Sequence, residues 1–259
     1  MISFVGAGPG AADLLTLRAV DRLAAADVVV WASSLVPDEV LAHASPAAEV
    51  HDSAGMTFED VVGVYEAHLQ ARIVRLHSGD LALYSALQEQ VDWCLLHDRE
   101  FEIVPGVGSL AAASAAVARE LTVPAVAQSV VATRLPGRTA ASMPAGETVA
   151  AFAAHGTTMA VYLSGARGRQ LQGELLTGYA EDTPAAVVVR ATWPDEQVHV
   201  TTVGGLAATM AATGTRTTML VLVGPALAGA APRCKLYDPA YAHGHRRRSA
   251  PGTTTGRPR

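Results

Sequence analysis

The sequence predicts an α/β protein built from two α/β domains with a ligand cleft between them. Half of the 259 residues are hydrophobic, and short β-branched segments alternate with helical patterns. This alternation is typical of a parallel sheet covered by helices. The pattern changes at Leu121-Thr122-Val123-Pro124, which resembles a linker. We therefore expect domains over residues 1–121 and 125–232, followed by a disordered tail over 233–259.

The first domain is predicted from four buried strands, each followed by a helix. The predicted strands cover residues 2–5, 27–31, 72–76 and 102–104. One helix is expected to begin after Asp13, which is a suitable N-cap residue. The helices that follow are expected over residues 57–70, 83–97 and 109–120.

The second domain is predicted from five further strands and three helices. The predicted strands cover residues 126–132, 158–163, 185–190, 198–203 and 218–223. The predicted helices cover residues 147–154, 168–178 and 204–212. Residues 135–147 contain two prolines and two glycines, so we expect a loop there.

Three sharp loops of the first domain, at 6–10, 77–81 and 105–109, each follow a predicted strand. In open parallel sheets, ligands bind beyond the carboxyl ends of the strands. We therefore expect the three loops to face one crevice. Asp80 and Ser109 in these loops are each either a ligand contact or a helix cap.

The Gly-rich turn formally fits the dinucleotide fingerprint through Gly6, Gly8 and Ala11. Two features argue against a nicotinamide cofactor. Pro9 has no N–H for a phosphate cradle, and the nearby acid, Asp27, begins the second strand instead of ending it. A tight β–α turn without any ligand stays an alternative, as does an NAD-dependent oxidoreductase.

Composition and motifs exclude several other classes of function. A net charge of −5 offers no cationic field for nucleic acid. The sequence contains no nucleophile elbow, His-Glu-x-x-His or P-loop lysine. Cys94 and Cys234 form no C-x-x-C pair, and His243 and His245 are best explained as part of a solvated tail, so we expect no metal site.

Localisation is also predicted from patterns that the sequence lacks. No apolar run reaches the roughly 18 residues that a membrane span requires, and no basic segment with a following apolar run precedes the first strand. We therefore expect no membrane association, no signal peptide and a cytoplasmic protein.

Four motifs, in order and at matching spacing over about residues 2–226, resemble those of the tetrapyrrole methylases. They are Gly-Ala-Gly-Pro-Gly at 6–10, Ser-Gly-Asp at 78–80, Pro-Gly-Val-x-Ser at 105–109 and Arg-Ala-Thr-Trp-Pro-Asp-Glu at 190–196. Segments 33–37, 76–81, 127–130, 142–147 and 235–239 resemble the branch that methylates carbon 11 of precorrin-4 or cobalt-precorrin-4. Leu81 replaces the proline that the wider family usually has, as in this branch.

The resemblance implies two α/β domains with the active site in the cleft between them, S-adenosylmethionine as cosubstrate and a homodimer that acts in cobalamin biosynthesis. By motif position, it implies cofactor contacts at Pro9, Ser78, Gly79, Asp80, Leu83, Gly108, Ser109, Leu163, Ala191 and Thr192, and more weakly at Thr218 and Met219.

The substrate of this branch, an early corrin-ring precursor, carries many carboxylates, so its site should contain arginines. We predict Arg134, Arg138 and Arg190 for this role. No general base is identified. Other corrin carbons, uroporphyrinogen or a protein residue stay open as substrates, and so does a non-catalytic binding protein with this fold.

Overall fold

The computed structural model contains two five-stranded β-sheets flanked by helices, and it describes residues 1–137, 140–229, 234–246 and 248. The first sheet comprises β1 (Ile2–Gly6), β2 (Val28–Trp31), β3 (Glu49–Asp52), β4 (Ile73–His77) and β5 (Phe101–Val104). Its order is β3-β2-β4-β1-β5, and every pairing is parallel. The accompanying helices are α1 (Leu17–Ala24), α2 (Phe58–Ala67), α3 (Gln88–Leu96) and α4 (Ser109–Ala116).

The apolar run of β1 is explained by helices on both faces of the sheet. Ile2 and Phe4 pack in one cluster with Tyr65 of α2, whereas Val5 packs in another with Leu23 of α1. Alternate residues of a strand point to opposite faces, so both faces of β1 are buried, and the polar residue Ser3 donates its hydroxyl to Glu102 Oε1 (2.8 Å). This burial fixes β1 in the sheet between β4 and β5.

The second sheet is mixed and follows the order β6-β7-β10-β8-β9. Its strands are β6 (Val130–Arg134), β7 (Thr158–Tyr162), β8 (Pro184–Val189), β9 (Gln197–Thr202) and β10 (Met219–Val223). Only β6 and β7 are parallel, and the other three pairings are antiparallel. Helices α5 (Val149–Ala153), α6 (Gly168–Leu175) and α7 (Leu206–Ala212) supply the core on one face.

Helix α4 connects the two halves of the molecule. It begins just after β5 of the first sheet, yet Ala113 packs on Ala160, Val188 and Leu222 of the second sheet. The small alanine side chains of α4 allow a close approach to that sheet. The end of β5 is therefore held near the second sheet.

Several predicted boundaries were wrong for local reasons. Asp13 lies in a 3-10 helix, and α1 instead begins after Thr16, whose hydroxyl accepts a hydrogen bond from the Ala19 N–H (3.2 Å). Residues 83–87 are not helical, because Tyr84 and Ala86 have φ values of 56° and 51°. The predicted strand at 126–132 begins only at Val130, and β3 was not predicted at all.

Shorter elements complete the described chain. The 3-10 helices are Ala12–Leu14, Asp38–His43, Ser53–Gly55, Ala140–Ser142, Pro225–Ala228 and Lys235–Tyr237. In the predicted tail, Arg246 donates to the carbonyls of Leu236 (2.6 Å) and Asp238 (2.8 Å). The domain boundary near 121–125 and the disorder of the tail stay predictions. Within the described ranges, no helix is long and apolar enough to cross a membrane.

Candidate functional site

The first two predicted loops are joined directly by backbone hydrogen bonds. The Gly8 N–H donates to the Gly79 carbonyl (3.1 Å), and the Gly79 N–H donates to the Gly8 carbonyl (2.7 Å). Both glycines have left-handed φ values, 78° and 71°, which residues with a Cβ rarely adopt. The Gly-rich turn therefore packs against the Ser-Gly-Asp loop, as expected for neighbouring strand ends.

The third loop, at 105–109, contacts the other two loops through the backbone of a glycine. A Cβ on Gly106 would lie 2.5 Å from the Gly79 carbonyl oxygen and 2.7 Å from the Gly6 carbonyl oxygen. Both contacts involve backbone atoms, which have no rotamer that relieves the overlap. The three loops therefore contact one another, while a single ligand crevice that all three face stays a prediction.

Asp80 holds its own loop and lines a cavity. Its Oδ1 accepts a hydrogen bond from the Ala82 N–H (2.7 Å), and a Cβ on Gly108 would overlap its Oδ2. It does not cap α3, which begins only at Gln88. Asp80, Leu83 and Gly108 line a cavity of about 410 Å³. The structure thus brings three of the predicted cofactor residues together, with Ser78 exposed beside them.

One end of the second sheet collects further predicted residues. Leu163 follows β7, Thr192 follows β8 by three residues, and Thr218 precedes β10, which is antiparallel to both. All three have left-handed φ values, of 52°, 70° and 52°. Such strained backbone clusters at ligand sites and costs of order 1–3 kcal/mol per residue. Met219 begins β10 at this end.

Two hydrogen bonds join this end of the second sheet to the Gly-rich turn. The Ala11 N–H donates to Thr192 Oγ1 (3.0 Å), and Trp193 Nε1 donates to the Pro9 carbonyl (2.9 Å). The Trp193 ring lies so close to Gly10 that a Cβ there would overlap it. Pro9 and Thr192, both predicted as cofactor contacts, therefore lie where the two halves of the molecule meet. Ala191 packs beside them in the cluster around α4.

The sequence analysis missed an aromatic pair in the cleft. The rings of Tyr84 and Tyr162 lie 5.1 Å apart, and they come from opposite halves of the molecule. Burial raises the pKa of the Tyr162 hydroxyl, and the charge of Asp80 raises this pKa further. A hydrogen bond with Ser109 lowers the same pKa in part. Their position in the sequence could have indicated both tyrosines, because Tyr84 follows the predicted contact Leu83 and Tyr162 precedes the predicted contact Leu163.

The predicted substrate arginines have different surroundings. Arg134 ends β6 directly opposite Tyr162 of β7, and its Nη2 donates to Ser142 Oγ (2.8 Å). Burial raises the pKa of Tyr84, and the Arg134 charge opposes that shift.

The other two arginines lie apart from Arg134. Arg190 pairs with Asp195 (Nη1–Oδ2 2.5 Å) and lies over the Trp193 ring, 5.5 Å from its centroid. Strands β7 and β10 separate its strand from β6 in the sheet. Arg138 lies outside the described residues.

A larger cavity of about 890 Å³ lies beside the contact between Gly10 and Trp193. Trp31 and Ser33 also line it. Its acidic lining residues are Asp13, Asp38, Glu39 and Asp195. Carboxylates of a ligand would be repelled by this wall, whereas apolar or cationic groups suit it.

Comparisons with known proteins agree with this geometry. Residues 1–207 match the family described as Tetrapyrrole (Corrin/Porphyrin) Methylases. The chain is 44% identical over 243 residues to a precorrin-4 C(11)-methyltransferase of Sinorhizobium sp, a match that covers 93% of this chain and 96% of that protein.

Two solved structures extend the comparison. The X-ray structure of the cobalamin biosynthetic enzyme cobalt precorrin-4 methyltransferase, CbiF, has a TM-score of 0.84 and 41% identity, covering 87% of this chain and 95% of the other. A uroporphyrin-III C-methyl transferase from Thermus thermophilus, complexed with S-adenyl homocysteine, has a TM-score of 0.73 and 28% identity, covering 88% and 98%. The predicted fold class is confirmed, and the chain is a methyltransferase that belongs to the tetrapyrrole methylases.

Proposed function

We propose that this protein transfers a methyl group from S-adenosylmethionine to carbon 11 of precorrin-4, or of its cobalt form, in cobalamin biosynthesis. The observation that carries the proposal is the junction of the Gly-rich turn with Thr192 and Trp193. It brings the first and last of the four motifs to one cleft. The name of the relative from Sinorhizobium sp supports carbon 11 of precorrin-4, and that of CbiF supports cobalt-precorrin-4 as the ring.

The residues of the cleft fit S-adenosylmethionine as the methyl donor. Asp80 offers a carboxylate, Ser109 a hydroxyl and Tyr162 an aromatic ring, all within one small region. Carboxylates and aromatic faces both attract a sulfonium-type cation. The cosubstrate supplies an activated methyl group on that sulfonium. The proposed contacts remain Pro9, Ser78, Gly79, Asp80, Leu83, Gly108, Ser109, Leu163, Ala191, Thr192, Thr218 and Met219.

The contribution of the protein is positioning, because the methyl group is already activated and the ring supplies the electron pair. The carbon, the methyl group and the sulfur must be aligned, and water must be kept out. Such orientation can lower a barrier by roughly 7–11 kcal/mol. Rigid loop contacts such as Gly8 with Gly79 suit this role.

Arg134 is the best placed of the three substrate arginines. It ends β6 opposite Tyr162, so its guanidinium can meet a ring carboxylate beside that tyrosine. Arg190 would have to share its guanidinium between Asp195 and the substrate. Arg138 stays in the proposal from its sequence position alone.

The functional form that we propose is a homodimer, as the family resemblance implies, and we place it in the cytoplasm, as the sequence patterns led us to expect. Sedimentation velocity on the purified chain tests the dimer. A species with the mass of a single chain at all concentrations would remove this part of the proposal.

The activity is tested by incubating the protein with methyl-labelled S-adenosylmethionine and with precorrin-4 or cobalt-precorrin-4. We expect one label in the ring, located at carbon 11 by mass and NMR mapping. Label at another carbon, or on uroporphyrinogen alone, would assign the protein to another activity of the family. The preferred form of the ring shows whether cobalt is inserted before this step.

Calorimetry with S-adenosylhomocysteine and NADH distinguishes methyl transfer from a nicotinamide-dependent reaction. We expect binding of the first ligand only, since Pro9 removes a phosphate donor. Tight binding of NADH alone would contradict the proposal. Tight S-adenosylhomocysteine binding without turnover on a panel of tetrapyrroles would instead indicate a binding protein.

Asp80→Asn tests the cosubstrate site by removing a charge while preserving shape. Its amide oxygen can still accept from Ala82, so the loop should persist. We expect about tenfold weaker binding of S-adenosylhomocysteine, as for losing one charge-assisted contact of about 1.5 kcal/mol. Asp92→Asn, on the exposed side of α3, is the matched control and should bind as the wild type does. Equal affinities of the two variants would exclude Asp80 from the site.

A further inference from the structure

Three potential metal ligands converge at the outer edge of the first sheet, away from the cleft. Glu49 and His51 lie on β3, and His68 follows the last turn of α2. Positions two apart on a strand point to the same face, so Glu49 and His51 are neighbours. One ligand atom from each of the three residues lies within 4.8 Å of the others.

The distances suit a shared ion. His51 Nε2 lies 2.9 Å from Glu49 Oε1, and His68 Nε2 lies 3.2 Å from Glu49 Oε2. In a tetrahedral site with metal–ligand bonds of about 2.0–2.1 Å, neighbouring ligand atoms lie about 3.3 Å apart. These two contacts use different oxygens of Glu49, and the three ligand atoms lie within 4.8 Å of one another, so side-chain adjustment would bring them around one ion.

The tautomer of His68 is set by the helix that carries it. Its Nδ1 lies 2.9 Å from the Val64 carbonyl, which can only accept, so Nδ1 carries a hydrogen. In the neutral ring, the Nε2 lone pair then faces Glu49 Oε2. Two electron-rich atoms in this position require a proton or a cation between them. An imidazole oriented through its other nitrogen is the usual arrangement of a metal ligand.

The Nε2 atom of His51 is a second ring nitrogen that would gain from a bound cation. Its Nε2 is shielded from solvent and has no hydrogen-bond partner within the described part of the chain, although Glu49 Oε1 is close. A buried ring nitrogen without a hydrogen bond costs free energy unless something else satisfies it. A bound ion would satisfy His51 and His68 together.

We propose that Glu49, His51 and His68 bind a divalent transition-metal ion of the Zn²⁺ class. Two imidazoles and one carboxylate are ligands that this class prefers, and three protein ligands leave a fourth position for water. The side chain of Glu49 is 57% exposed, which gives an ion access from solvent. The negative end of the α2 dipole adds to the attraction for a cation.

The ion would stabilise the exposed edge of the first sheet that β3 forms. Among the described strands, β3 pairs only with β2, so one of its edges has no neighbouring strand in that part of the chain. The ion would tie this strand to the end of α2, where Arg99 Nη2 already holds the His68 carbonyl (2.9 Å). The proposal departs from the expectation from the sequence that no metal is bound, because the three candidate ligands come from two elements and form no recognisable motif.

The test is a Zn²⁺ titration of the full-length protein without an affinity tag, after treatment with a chelator. A competing chromophoric chelator reports the affinity, and the absorption of Co²⁺ substituted at the site reports its geometry. We expect one tight ion per chain and tetrahedral Co²⁺ bands. His51→Ala and His68→Ala should each weaken Zn²⁺ binding by tenfold or more and abolish these bands.

Control variants separate this cluster from other histidines. The double variant His243→Ala/His245→Ala and the single variant His155→Ala should keep the tight site and the bands. Glu49→Gln, an exposed change that keeps the shape, tests the site even where a histidine variant fails to fold. Zn²⁺ binding that is unchanged by all cluster variants, or lost with the tail histidines, would overturn the proposal.

Discussion

At the scale of single residues, His77 shows how burial sets the chemistry of a group next to the site. It ends β4 directly before the Ser-Gly-Asp loop, and its Nδ1 contacts the Ser85 carbonyl at 3.0 Å. Burial, and to a lesser degree the charge of Arg75, lowers its pKa from 6.5 to about 4. The ring is therefore neutral at pH 7 and helps to hold residues 77–85 in their loop.

This pKa predicts a specific dependence of stability on pH. Between about pH 6.5 and 4 the unfolded chain binds a proton at His77 that the folded chain does not, so the free energy of unfolding falls as the pH falls. The full loss is about 3 kcal/mol at most, and it is complete near pH 4. Urea unfolding at several pH values should show this slope.

His77→Asn removes the titrating group and tests its contribution. We expect the stability curve of this variant to be flatter than that of the wild type over this range, even if its stability at pH 7 is lower. His155→Asn, at an exposed histidine, should retain the wild-type slope. A wild-type slope in His77→Asn would show that other groups control the acid sensitivity.

At the scale of elements, the ends of β1, β4 and β5 can meet only where no side chain intervenes. Gly106→Ala places a methyl group 2.5 Å from the Gly79 carbonyl oxygen, so the loops must separate. Overpacking of this kind typically costs about 1–3 kcal/mol. We expect that loss in denaturant unfolding, together with at least tenfold weaker binding of S-adenosylhomocysteine.

Gly63→Ala in α2 is the matched control for this substitution. No atom lies within 4 Å of the added Cβ, and alanine is the better helix former, so we expect a gain of about 0.5–1 kcal/mol. Cosubstrate binding should not change. If Gly106→Ala had the same affinity for S-adenosylhomocysteine and the same stability in denaturant as Gly63→Ala, the close approach of the loops would not matter for function.

Elements held by long-range pairing were the ones that the sequence predicted poorly. The strand β3 consists of Glu49-Val50-His51-Asp52, which lacks an apolar pattern because an edge strand is largely exposed. The antiparallel pairing of β8 and β10 was also not predictable, since five of the six β8 residues are buried and β10 is buried throughout. Burial on both faces removes the alternation that would indicate which neighbours a strand has.

At the scale of the whole molecule, the sequence predicted which loops form the cleft but not which side chains close it. Glycines and strand ends identified the loops because a parallel sheet places the carboxyl ends of its strands together. Tyr84, Tyr162 and Trp193 were missed, since their contacts join residues far apart in the chain. The left-handed backbone at Leu163 and Thr218 also has no sequence signal, because neither residue is a glycine.

The hydrogen bond from Trp193 to the Pro9 carbonyl is one of the contacts that join the two halves, and Trp193→Phe removes its donor together with the five-membered part of the indole. A phenyl ring can still lie beneath Arg190, although the contact that the indole Cδ1 and Nε1 make beside Gly10 is lost as well. Loss of one such bond is worth about 1 kcal/mol, which corresponds to about fivefold weaker binding of a ligand held between the halves. Calorimetry with S-adenosylhomocysteine measures this change.

A control for this change must also alter a tryptophan outside the cleft. Trp93→Phe is suitable, because Trp93 of α3 stacks on His97 with a centroid distance of 4.6 Å. This variant should bind S-adenosylhomocysteine with wild-type affinity. If instead Trp193→Phe keeps wild-type affinity for S-adenosylhomocysteine, the junction would only stabilise the fold. The bond acts by setting the orientation of the two halves around the cosubstrate if two results coincide. Trp193→Phe must bind fivefold more weakly, and its unfolding midpoint must fall no more than that of Trp93→Phe.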